Sequence, residues 1–190
     1  YYIAAAILPW VGQLDAAQTI LARAMAARPF DYQPAFYYAF HRLFLAKDAR
    51  GASAVMRAAA EKLPEGDERL QMQNLAAIWL DKADDPAYAI SVVAAMAKEA
   101  RRPDFRRYLE QRVDRLRQLQ ALREAAARYR QQQGRPPARL DELVTAGLIE
   151  KIPADPFGFG FAIDARGEVV LRNSPPPRSP RLPPGSPQSQ

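Results

Sequence analysis

A small, a large and a small apolar residue, followed by proline, recur at one spacing in the first third of this chain. Ala17, Leu21, Ala24 and Pro29 reappear 35 residues later as Ala52, Met56, Ala59 and Pro64. A fixed period of that length is the mark of stacked helical pairs, each one unable to bury its apolar face alone. Residues 31–64 carry it most clearly. Phe36, Ala39, Phe40 and Leu43 form the apolar stripe of a first helix and Ala52, Met56 and Ala59 that of a second, with the turn at Lys47–Gly51. Asp31 is placed to cap the first helix, and Pro34 falls in a first turn where its missing N–H costs nothing. Residues 1–29 read as an earlier pair, in which Pro9 shortens or kinks the first helix. Residues 67–102 read as a later one, with Leu75, Ala76 and Trp79 followed by Ala89, Val93 and Met96. Here the spacing from Ala52 slips to 37, and the loop around Pro86 absorbs it. Ala17, Ala52 and Ala89 are expected where neighbouring helices touch.

An alanine, a bulky apolar residue and a second alanine on the second helix, with proline near the end of the unit, resemble the tetratricopeptide repeat. The resemblance implies a mainly α fold, an α-α superhelix of about three hairpins over residues 1–102, acting as an interaction scaffold with no cofactor. In that family the partner, a protein or peptide, lies in a groove lined by the first helix of each pair. Carried over by register, the groove positions are Tyr37, His41 and Phe44, then Gln73 and Ala77.

Residues 103–133 form one long amphipathic helix, with Phe105, Leu109, Val113, Leu116, Leu119, Leu122, Ala126 and Tyr129 on its stripe. It suits the terminal helix that covers an array's last apolar face, or one strand of a partner coiled coil. The net charge of +6 is concentrated around it: twelve arginines against four acids between Arg101 and Arg139 leave −2 for the rest of the chain. Such a segment either binds a polyanion, nucleic acid or an acidic membrane surface, or is a solvated face.

Gly134-Arg135-Pro136-Pro137 ends that helix, and a short helix follows through Leu140, Leu143 and Val144. Strands at 159–163 and 168–171 read as a small β-hairpin turning at Asp164–Gly167, which must dock through Phe157, Phe161 or Ile163 because two strands alone are marginal in water. Gly134, Pro137, Leu140, Leu143, Pro153, Asp155, Pro156, Phe157 and Gly158 resemble the end of a type II secretion major pseudopilin. That resemblance implies a Pro-x-Asp-Pro-aromatic-Gly turn leading into a strand, and a place in the bacterial periplasm or envelope. From Asn173 the chain is Ser, Pro, Arg, Gly and Gln apart from Leu182, too poor in apolar residues to offset ordering entropy. The expectation for 173–190 is a disordered tail, a tether or a proline-rich ligand.

Catalytic signals are weak. One histidine and no cysteine exclude thiolate metal sites and zinc-hydrolase spacing. Gly158-Phe159-Gly160 lacks the third glycine and the following helix of a phosphate loop. His41 stands mid-helix among aromatics with no nucleophile elbow, and Asp84-Asp85 before Pro86 starts a helix. No run reaches the ~20 apolar residues of a bilayer helix. The chain opens on Tyr1-Tyr2-Ile3 without an initiator Met, which implies processing or excision from something longer and leaves room for a signal or anchor upstream.

Overall fold

The computed structural model describes the backbone from Tyr2 and the side chains from Ala5, through to Arg172. The expected tail at 173–190 lies outside the described residues, as do Tyr1 and the side chain of Ile3. The chain is mainly helical, with a two-stranded antiparallel sheet near its C-terminus. The helices are α1 (Tyr2–Ile7), α2 (Leu14–Ala27), α3 (Tyr32–Phe44), α4 (Ala49–Lys62), α5 (Asp67–Trp79), α6 (Pro86–Glu99), α7 (Pro103–Gln133) and α8 (Asp141–Thr145). Strands β1 (Phe161–Ile163) and β2 (Val169–Leu171) follow, and the chain divides into two compact units, Tyr1–Leu116 and Arg117–Gln190.

In the first unit the period is visible in the helix starts. α2 and α4 begin 35 residues apart, as do α3 and α5, and α6 and α7 follow 37 and 36 residues after α4 and α5. Consecutive helices pack on one another, α2 on α3, α3 on α4 and α4 on α5. Ala17, Ala52 and Ala89 are all 0% exposed, the burial expected of small residues at helix-packing positions. One position differs: Ala59 is half-buried and Ala60 is the residue at 0%, so α4 is turned by one residue relative to α2 at its C-terminal end. Pro9 acts as expected. α1 stops at Ile7 and a 3₁₀ turn covers Leu8–Val11, leaving Ile7, Trp10 and Val11 exposed.

The starts of α3, α4 and α6 are fixed by carboxylates. Asp31 accepts from Gln33 N–H, Asp85 from Tyr88 N–H, and Asp48 from Gly51 N–H at 2.7 Å. That last amide, with a smaller contribution from the Arg42 guanidinium paired to the same group, holds the Asp48 carboxyl below its ordinary range. A Cβ at Gly51 would stand 2.2 Å from Asp48 Oδ2 and 2.5 Å from Arg42 Nε, so a larger residue there displaces both side chains.

One core runs from Ala39 and Leu43 of α3 to Leu109, Val113 and Leu116 of α7. It contains charge. Arg112 and Arg115 project with side chains 6% and 5% exposed onto Asp81, which follows buried Leu80 in a 3₁₀ turn, at 2.5 and 3.7 Å. Arg112 also donates to Tyr108 Oη at 3.1 Å. Burying guanidinium groups is tolerated because a half-buried carboxylate, its side chain 17% exposed, faces them.

The second unit has a smaller core: Leu119, Leu122, Ala125, Ala126 and Tyr129 of α7 with Leu143, Phe161 and Val169. The hairpin docks through Phe161, with Ile163 partly buried beside it, whereas Phe157 is half-buried in the preceding turn. Polar contacts supplement that core. Glu142 accepts from Tyr129 Oη at 2.5 Å, from Arg135 at 2.9 Å, and from the amides of Ala138 and Arg139. These donors, the tyrosine first, lower its pKa to about 2. Asp155 builds the Pro-x-Asp-Pro-aromatic-Gly turn by accepting from Phe157 N–H at 3.1 Å and Gly160 N–H at 2.7 Å. Gly167 closes the hairpin with φ +77°, where a Cβ would meet Pro136 at 2.6 Å.

Candidate protein-binding face

Phe36, Phe40 and Phe44 fall four residues apart on α3, a spacing that stacks side chains along one helical face. Their rings form a ladder, with centroids 6.2 Å apart from Phe36 to Phe40 and 4.5 Å from Phe40 to Phe44. Its inner end is anchored on α5, where the Trp79 ring lies 6.0 Å from Phe36. The outer end is open: Phe40 and Phe44 are each 39% exposed and Leu45 46%. Lys82 Nζ stands 5.9 Å from the Phe44 centroid. Single exposed apolar residues need no explanation, but a contiguous ridge held in place from behind does. Phe40, expected in the core, is therefore a surface residue; each four-residue step carries the row about 40° further round α3, from the Trp79 side toward solvent.

The neighbouring face of α3 looks to α2. Gln18 Nε2 lies 3.2 Å from His41 Nδ1 and donates to Tyr38 O at 3.3 Å. His41 is 5% exposed, and burial lowers its pKa, which favours the neutral ring. Tyr37 is half-buried, its ring edge-on to Phe36 at 5.6 Å.

The residues carried over from the repeat register are thus distributed unevenly. Phe44 stands on the ridge, Tyr37 beside its inner end, and His41 in the α2–α3 packing. Gln73 of α5 is half-buried and lines a cavity of about 150 Å³ with Leu70, Glu99 and Phe105. Ala77 has no exposed surface and belongs to the core. Phe36, Phe40 and Trp79, which complete the ridge, are residues that register alone passes over; the signal for them is the i, i+4, i+8 run of phenylalanines.

The arginines of 101–139 are largely engaged within the chain. Besides Arg112 and Arg115, Arg101 pairs with Glu65, Arg102 with Asp104, Arg130 with Glu168, and Arg139 with Asp141. Arg106 donates to Ala100 O, and Arg123 to Val169 O. Among the described residues no group of three or more His, Asp or Glu is placed to hold a metal ion, and no helix is long and apolar enough to cross a membrane. Comparison of the chain with protein-family models, with curated proteins and with solved structures found no match.

Proposed function

We propose that this chain is a non-catalytic helical-repeat scaffold of the tetratricopeptide type, an α-α superhelix that binds a protein or peptide through the ridge on α3. The observation that carries this reading is the ladder Phe36–Phe40–Phe44, rigid at Trp79 and open at Phe40, Phe44 and Leu45. Aromatic rings supply contact area with few rotors to immobilise, which is why they dominate binding hot spots. The Pro-x-Asp-Pro-aromatic-Gly turn of the second unit, similar to that of the major pseudopilins, supports a place in a cell-envelope, secretion or filament assembly.

The test is affinity capture from a bacterial envelope extract with the immobilised chain, read by mass spectrometry against a Phe40→Ala/Phe44→Ala variant. Both rings are partly exposed, so the variant folds, which circular dichroism checks. Capture of a protein that falls about tenfold or more in the variant supports the reading; equal capture by both forms overturns it. Polyanion binding by the arginine-rich segment has less support, because most of those guanidinium groups already have partners inside the chain. Heparin affinity falling steeply with log salt would favour it.

A further inference from the structure

The two edges of the β1–β2 hairpin are finished differently. Its register sets Phe161 opposite Leu171, Ala162 opposite Val170 and Ile163 opposite Val169. Arg172 N–H donates to Gly160 O at 3.0 Å and Asp164 N–H to Glu168 O at 2.9 Å. In an antiparallel ladder the residues that exchange hydrogen bonds alternate along each strand. Gly160, Ala162 and Asp164 therefore turn their backbone groups toward β2, and Phe161 and Ile163 turn theirs away from it.

The far side of β2 is covered by α7: Arg123 Nε donates to Val169 O at 3.0 Å, and Arg130 pairs with Glu168 at 3.2 Å. The far side of β1 has no such cover. Among the described residues no group bonds the outward N–H or C=O of Phe161 or Ile163. Phe161 is nonetheless only 5% exposed, a setting in which backbone polar groups are nearly always paired. What lies alongside is a cavity of about 430 Å³, lined by the whole of β1 together with Leu140, Ile152 and Pro153. Arg139, whose exposed guanidinium pairs with Asp141 at 3.0 Å, and Arg172 also line it, two guanidinium groups to one carboxylate.

We propose that this cavity takes an extended, acidic segment of a partner protein as a third strand beside β1. An extended backbone supplies the donors and acceptors that Phe161 and Ile163 lack, alternate apolar side chains meet Leu140 and Ile152, and carboxylates meet the arginines. A second copy of this chain fits less well, because an isologous pairing of β1 with itself would set the same arginines against each other.

The probe is an acetylated octapeptide alternating Val and Glu, added to the full 190-residue chain and followed by amide hydrogen exchange in NMR spectra. In the free protein the Phe161 and Ile163 amides exchange quickly and that of Ala162 slowly. Millimolar peptide slows the first two at least tenfold and leaves Ala162 unchanged. The same peptide N-methylated at alternate residues gives no protection, and Arg139→Glu weakens the Val/Glu peptide about threefold. The proposal is overturned if Phe161 and Ile163 stay unprotected at saturating peptide. It is equally overturned if a Val/Lys peptide protects them as well, or if protection appears without peptide as the protein concentration rises and a dimer forms.

Discussion

Around Met56 the packing residues are alanines at repeating depths, and around Tyr129 they are a few larger side chains tied by carboxylates to neighbouring amides. The first unit stays together because equivalent helices meet through small residues that allow close approach, so its stability is spread over many similar contacts. The second unit buries far less, and relies on Glu142, Asp155 and Asp164 to fix loops that have no helical or strand pairing of their own. A repetitive core tolerates loss of a surface contact and resists change of volume. A polar one does the reverse.

The sharpest way to break that contrast is Asp81→Ala, which leaves two guanidinium groups buried without the carboxylate they converge on. We expect a loss of about 3–5 kcal/mol in urea denaturation, the largest of any single change here. Ala52→Leu comes next: at 0% exposure its extra carbons have no space, and a loss of about 1–3 kcal/mol is expected in thermal unfolding. An unchanged melting temperature would mean that α4 does not meet its neighbours through that methyl. Gly51→Ala should cost about 1 kcal/mol, since its Cβ displaces the Asp48 cap; a matching loss in Asp48→Ala, with no further loss in the double variant, would tie the two together.

The smallest effect belongs to the second unit and is visible only in acid. Glu142 has a pKa lowered from 4.5 to about 2, so the unfolded chain binds its proton first. The stability it contributes is complete above about pH 4.5 and is lost as pH falls toward 2. Amide signals of Ala138 and Arg139 in the folded protein should shift only as pH approaches about 2, and Glu142→Gln should abolish the shift while leaving the first unit's amides unaffected.

Much of the first unit was legible because periodicity reports burial directly. The depths of Ala17, Ala52 and Ala89 follow from spacing there, and beyond it the full span of α7 and the second unit's turn at Asp155 follow from spacing and residue type. The failures share a cause. Spacing reports which face of a helix is turned inward but is blind to what a neighbouring helix brings, so the Trp79 ring against Phe36, which leaves Phe40 and Phe44 as the open end of the row, was not readable. A guanidinium reads as solvent-facing until Asp81 is known to stand opposite it, although Arg112 lies three residues after Leu109 and directly before Val113 on the same stripe. Ala77 fits the register of a groove, yet a methyl group that close to the helix axis is buried once α5 is covered. Of the candidate face, the sequence alone pointed to Phe44 and the aromatic richness of α3, and the ladder itself emerged only with α5 in place.

The equal spacing of helix starts has an outcome for how such a chain can change in length. Because α3 and α5 begin one period apart, a tandem copy of residues 32–66 spliced in after Gly66 would offer α5 the α4 surface it already accepts and leave one junction, α4 against the copied α3, to be made anew. Growth by duplication then asks for a single new interface, and whatever recognition the phenylalanine ladder provides would be multiplied along with it.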